Sequence, residues 1–265
     1  MKLVNVKKSA FRCIKHRKRI LDISQKVTAL HSAGAFSCIE IVDTIYYSLL
    51  RKNDTFVMSK GHGCISQYVV LESLGILSKR EIDSYCKPSG KLGCHPDYGN
   101  PGIEASTGSL GHGMGLAVGM AHANKIRNSS GLIYVVISDG ELQEGSTWET
   151  MMMAANLNLD NLICLLDHNG SQSFGHTKIT HPKFYPIEMK VKGFGFECQS
   201  VNGHSSKLIQ NKILKRKKKR PFFLICNTVK GKGVSFMENQ PIWHYRSPSP
   251  DEYQIAIKGL KEIYS

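Results

Sequence analysis

The sequence predicts an α/β fold, a doubly wound and mostly parallel sheet flanked by helices, formed by all 265 residues as one domain. Three runs carry that expectation. LIYVVIS (132–138), LICLLD (162–167) and PFFLICN (221–227) are apolar almost throughout, rich in β-branched or aromatic residues, and end in polar groups. Strands buried on both faces read this way, whereas a half-exposed strand alternates apolar with polar. Helical spacing fills the segments between them. Strands alternating with helices give a parallel sheet whose ligands gather at the carboxyl ends of the strands.

Residues 10–30 carry Phe11, Ile14, Ile20, Leu21, Ile23, Val27 and Leu30 at nearly helical intervals, which predicts a first helix. IEIVDTIYYSLL (39–50) predicts a second, buried on one face. A glycine-rich stretch over 90–119 starts without regular pattern and turns helical from about Leu110. A strand over 132–140 leads to a helix from Trp148 to Leu157, then to a second strand over 162–170. A short strand over 193–201, a helix from Ser205 to Lys219 and a strand over 221–228 repeat the rhythm. No internal repeat and no Pro- or Ser-rich linker divides the chain.

The hydrophobic fraction of 41% and the 24 glycines suit an ordinary α/β protein able to bury a substantial core. No apolar stretch approaches the roughly 20 residues that span a bilayer, so no membrane association is expected. The basic N-terminus lacks a continuous apolar core and reads as a charged helix start rather than an export signal. Eight cysteines stand singly, as reduced and mostly buried thiols of a cytoplasmic protein do. Cys86, Cys94 and His95 lack a second ligand pair at zinc spacing. Much of the +14 formal charge sits in two runs, Lys7 to Arg19 and Lys215 to Arg220. No aromatic residue interrupts the second run and no nucleic-acid motif surrounds it, so the charge reads as a solvated helix end.

The most informative segment is SDGELQEGSTWETMMMAANLNLDNLICLLDHNGS (138–171). Asp139 and Asn169 each fall just after a buried strand, so both are expected at one edge of the sheet. Mg2+ takes hard oxygen ligands in near-octahedral geometry, few of them from protein and the rest from phosphates and water. The Asp139 carboxylate, the Asn169 amide oxygen and the main-chain carbonyl of Ser171 supply three. Gly140 lets the backbone approach a diphosphate that a Cβ would obstruct. The competing assignment is a helix cap at Asp139 and a turn at Asn169.

The pattern resembles the thiamine-diphosphate signature, Gly-Asp-Gly with a downstream Asn, and DGELQEGSTWE resembles the transketolase family in particular. Ser138 stands where the family usually has its first Gly. Four histidines fall in similar contexts: His31 in HSAGAFS, His62 in MSKGHG, His95 in GCHPD and His244 in WHY, after TVKGKGVSFMEN. Transketolase-type chemistry passes through an alkoxide and needs proton transfers at substrate hydroxyls, which imidazoles donate to and shuttle near neutral pH. The resemblance implies that His31 and His244 act on the substrate oxygen, and that His62 and His95 position donor hydroxyls and cofactor. TGSLGHGMGLAVGMA (107–121) resembles the family's Gly-x-Leu-Gly-x-Gly segment, so Gly108, Ser109 and Leu110 would border the cofactor. The spacing is not that of a dinucleotide loop. His112 either faces the cofactor or closes the turn. By the same resemblance Gly140, Glu141, Asn169, His62 and His244 contact thiamine diphosphate, and Mg2+, Ca2+ or Mn2+ sits on Asp139, Asn169 and Ser171. Glu144 would couple two active sites across an interface, or would be an exposed acid at a helix start.

The resemblance runs from about residue 12 to 246 and stops where a full-length transketolase begins its pyrimidine-binding domain. That domain supplies the Glu that activates the aminopyrimidine and the residues that grip sugar phosphates. A complementary subunit is therefore expected, two such heterodimers pairing into the assembly, with sugars or sugar phosphates as substrates. The rival readings are half of a 1-deoxyxylulose-5-phosphate synthase-like enzyme, a catalytically silent protein on the same fold, and nucleic-acid binding through the basic runs.

Overall fold

Parallel strands form the centre of the computed structural model, which describes residues 3–173 and 175–262. In chain order the strands are β1 (Thr55–Met58), β2 (Ile133–Ser138), β3 (Leu162–His168), β4 (Ser171–Gln172), β5 (Gly175–His176), β6 (Glu197–Asn202) and β7 (Phe222–Asn227). Five of them make one parallel sheet in the order β1-β2-β3-β7-β6, while β4 and β5 pair as a small antiparallel ribbon. The helices are α1 (Val6–Ser24), α2 (Ser32–Thr44), α3 (Cys64–Ser73), α4 (Lys79–Asp83), α5 (Gly113–Ile126), α6 (Gly145–Asn156), α7 (Thr177–Thr180), α8 (Ile187–Gly193), α9 (Ser206–Leu214) and α10 (Pro250–Glu262).

Successive strand residues point to opposite faces, and here both faces are covered. On β2, Tyr134 and Val136 pack beneath α1, α2, α3, α9 and α10, while Ile133, Val135 and Ile137 pack beneath α5, α6 and α8. β3 divides its residues in the same way, Ile163 and Leu165 against Leu162, Cys164 and Leu166. Two covered faces are the physical origin of the unbroken apolar runs. Register brings Ser138 beside Asp167 and His168 beside Asn227, so the strand ends that carry polar residues finish level.

Some elements differ from the sequence expectation. α2 begins at Ser32, before the expected 39, because every residue from Ser32 to Thr44 is buried and no polar face marks its period. β1, the β4–β5 ribbon and α10 were not anticipated. α9 ends at Leu214 rather than Lys219, so the run from Lys215 to Arg220 forms the turn before β7, with Lys218 at positive φ. The other basic run faces inward in part. Arg12 pairs with Asp43 at 2.7 Å, Arg17 with Glu40 at 2.6 Å and Arg19 with Glu72 at 2.8 Å. Glu40 also accepts from His204 Nδ1 at 2.9 Å, and His204 Nε2 accepts the Val229 N–H at 2.9 Å. A polar chain thus links α1 through α2 to the loop after β7. Cys86 and Cys94 are exposed, and the other six cysteines are buried and free. Among the described residues, no helix is long and apolar enough to cross a membrane.

Candidate active site

The carboxyl ends of β1, β2, β3 and β7 open into one cavity of about 420 Å³. After β1 the chain turns through Ser59, Lys60, Gly61 and His62. Gly61 is required there, since a Cβ would lie 2.8 Å from the backbone nitrogen of Gly108. Thr107 Oγ1 donates to the Met58 carbonyl at 2.6 Å and holds the two loops face to face. The His95 ring packs over Gly108, where a Cβ would come within 3.0 Å of it.

His31 precedes α2, and its ring lies 5.4 Å from that of His62, 5.2 Å from His244 and 4.5 Å from Tyr245. Burial, with Lys230 and Lys60 nearby, lowers His31 to about 4 and His244 to about 3. His62 falls well below its ordinary value for the same reasons, burial first and Lys60 next. All three rings are therefore neutral at pH 7, each offering one donor and one acceptor.

Two lysines lie at the base. Lys60, 1% exposed, donates to Asp167 at 2.5 Å and to the Gly34 carbonyl at 2.9 Å. Burial opposes its charge, yet the Asp167 carboxylate outweighs burial and lifts it to about 12. Asp167 also accepts from Ser37 and Thr228, each at 2.5 Å. Lys230, 3% exposed, meets His244 Nδ1 at 2.8 Å, and burial followed by Lys60 lowers it to about 8.

Asp139 follows β2 and is 1% exposed. One carboxylate oxygen lies 2.5 Å from His168 Nδ1 and the other accepts the Gly170 N–H at 2.7 Å. Asn169 donates its amide to Ser37 Oγ at 3.2 Å, which turns its carbonyl oxygen toward Ser171, whose N–H it accepts at 3.0 Å. Carboxylate, amide oxygen and main-chain carbonyl are thus all oxygen donors clustered at the ends of neighbouring strands, the set a hard divalent cation takes. Each carboxylate oxygen keeps a lone pair beyond its present bond. At Gly140 a Cβ would meet only Gln172 and Leu110, at 3.7 and 3.9 Å, which leaves the backbone approachable from the cavity. These residues fit a metal-bound diphosphate.

Of the expected residues, His31, His62, His95, His244, Gly108, Leu110, Gly140, Glu144, Asn169 and Ser171 line the cavity. Asp139 lies just beneath it. Ser109 is exposed on a neighbouring shallow depression shared with His95 and Gly108. Glu141 requires a correction. Its side chain is fully buried, takes hydrogen bonds from Ser59 and from the Gly111 N–H, and burial lifts it to about 7. It pins the 107–111 loop instead of facing a ligand. Ser138 fits in place of Gly by accepting the Glu141 N–H at 3.4 Å. Lys60, Asp167 and Lys230 were missed, although SKGHG, LLDHNG and TVKGKG contain them, as were Gln172 and His181 on the far wall.

Neutral histidines make a pH prediction. An imidazole held below its unfolded value near 6.5 binds a proton more readily in the unfolded chain. Its stabilising contribution is full above that value and is lost as pH falls toward the folded values of about 4 for His31 and about 3 for His244. Urea unfolding between pH 7 and 4 should show this decline, and His31→Asn should flatten it. An unaltered slope would contradict the assignment.

A parallel sheet with a polar cavity at its carboxyl edge, oxygen donors from Asp139 and Asn169 and a neutral histidine cluster are features that suit a cofactor-dependent site of the thiamine-diphosphate type. The sequence matches the family described as transketolase, thiamine diphosphate binding domain, over residues 12–255. The chain belongs to the transketolase family. It is 35% identical over 259 residues to an apulose-4-phosphate transketolase subunit of Phocaeicola vulgatus, covering 94% of this chain and 92% of that one. It is 33% identical over 258 residues to a 6-deoxy-6-sulfo-D-fructose transketolase subunit of a Clostridium species, covering 93% and 94%. Among solved structures, transketolase from Campylobacter jejuni superposes with a TM-score of 0.91 at 26% identity, covering 97% of this chain and 43% of that one. The chain thus spans under half the length of that transketolase.

Proposed function

We propose that the chain is the diphosphate- and metal-binding subunit of a two-chain transketolase that moves a two-carbon ketol unit between sugars or sugar phosphates. The observation that carries this reading is the joint placement of Asp139, Asn169 and Ser171 at the same cavity as His31, His62 and His244. Thiamine diphosphate, when bound, supplies the nucleophilic carbon that accepts the ketol unit, and Mg2+ neutralises its phosphates. Asp139, the Asn169 oxygen and the Ser171 carbonyl hold the metal. Gly140 admits the diphosphate to the backbone, and Lys60 and Lys230 set a positive potential beneath it. His62 and His31 place N–H donors and ring acceptors, and His244 an N–H donor, where substrate oxygens gain charge and protons move. His95, packed on Gly108, borders the same space. Glu144, exposed at the start of α6, is available to an interface.

Relatives of matching length that are named as transketolase subunits support a partner, which would grip the pyrimidine and the sugar phosphate, with two heterodimers in the assembly. The test is reconstitution. The chain mixed with its complementary subunit should transfer two carbons, while either alone should be inactive, and light scattering should report the mass of two heterodimers. Robust transfer by the isolated chain would refute the two-chain reading.

A further inference from the structure

His244 enters the cavity with one ring nitrogen already committed. Lys230 reaches it from the loop after β7, with Nζ 2.8 Å from Nδ1. That loop is fixed on both sides of the lysine: Val229 N–H donates to His204 Nε2, Gly231 N–H donates to the Ala33 carbonyl, and Asn239 N–H donates to the Lys230 carbonyl, each at 2.9 Å. The carboxylate that both buried lysines feel, Asp167, is engaged by Lys60, Ser37 and Thr228. The Lys230 ammonium therefore has the imidazole as its hydrogen-bond partner among the described residues.

An ammonium has three donors and no acceptor, so it can bond only to a ring nitrogen that carries no proton. In a neutral imidazole the proton must then sit on the other nitrogen. Groups facing the pair are Lys60 after β1, Asp139 after β2, Asp167 on β3, and His31 and His62 across the cavity. Their positive members disfavour a second proton on His244, and Lys230, lowered to about 8, remains mostly charged at pH 7.

We infer that Lys230 is a positioning residue that fixes His244 in the Nε2–H tautomer, so that His244 meets the cavity as a hydrogen-bond donor. Such a donor suits an anionic oxygen, whether of a diphosphate or of a polarised donor carbonyl, and cannot serve there as a base. The tautomer follows from this geometry alone, while its consequence for turnover rests on the proposed function.

The test is nitrogen-15 NMR of the full chain with labelled histidine at pH 7, with His244 assigned by its loss in His244→Gln. Wild type and Lys230→Arg should show Nε2 protonated and Nδ1 bare, and Lys230→Met should show a mixture of tautomers. In the reconstituted complex Lys230→Met should lower kcat about 10–100-fold, as loss of an orienting partner does, with KM nearly unchanged and most activity kept by Lys230→Arg. A wild-type proton on Nδ1, or an unchanged tautomer in Lys230→Met, overturns the inference. The wild-type spectrum decides even if Lys230→Met fails to fold. Absence of two-carbon transfer by the wild-type complex would instead refute the proposed function and leave the spectrum standing.

Discussion

Asp139→Asn is expected to lower the affinity for thiamine diphosphate in Mg2+ by more than a hundredfold. Residues that only orient a metal ligand typically contribute 10–100-fold, and Asp139 would be the charged ligand itself. Asn preserves volume and one acceptor for the Gly170 N–H, so the turn from His168 to Ser171 should survive. Alanine is the poorer test, because it would also leave His168 and Gly170 without their partner. Asn169→Ala should act in the same direction by removing the amide oxygen. Calorimetry on the reconstituted complex, with and without chelator, measures both. Unchanged affinity in either variant, or full affinity without metal, would move the cation elsewhere.

Turnover should drop by roughly 10²–10⁴ in His62→Ala, and by a similar order in His244→Ala, the scale of a positioned proton donor or acceptor. His62 has ring neighbours at 5.4 and 6.0 Å, and among the described residues no protein group hydrogen-bonds its ring. Its nitrogens are thus free for a ligand, and alanine should leave the fold intact. Circular dichroism melts should overlay those of wild type while kcat falls. Wild-type turnover would make these rings packing residues.

The central strands were legible because both faces are buried, which erases alternation and leaves a solid apolar run. β1 was not, since TFVM is four residues long and too short for any period to register. The start of α2 escaped for the converse reason: a helix buried all round has no polar stripe to betray its phase. The motifs single out Asn169 and the histidines, which share one cavity, and Asp139 beside it, whereas the lysines stand in the same motifs with nothing in the sequence to show that they turn into that cavity. Lys60 becomes informative only when Asp167, from a different strand, is seen against it. The inward half of the N-terminal basic run was hidden likewise, since Asp43, Glu40 and Glu72 lie far along the chain from Arg12, Arg17 and Arg19. Glu141, expected at the cofactor by resemblance, turns its side chain into the core, a direction that its place in the motif does not reveal.

The turn from Lys215 to Arg220 leads into the first residues of β7, whereas the cavity opens beyond the last residues of the same strand. The protein is therefore polarised along its strands, with a cationic pole, exposed except at the buried Arg216, at one end and a charged recess at the other. A solvated pole governs colloidal behaviour and falls silent within about a Debye length, roughly 8 Å at physiological salt. The recess is shielded far less. Raising ionic strength should therefore weaken nonspecific adhesion of this chain to polyanions well before it loosens a diphosphate held at the opposite end.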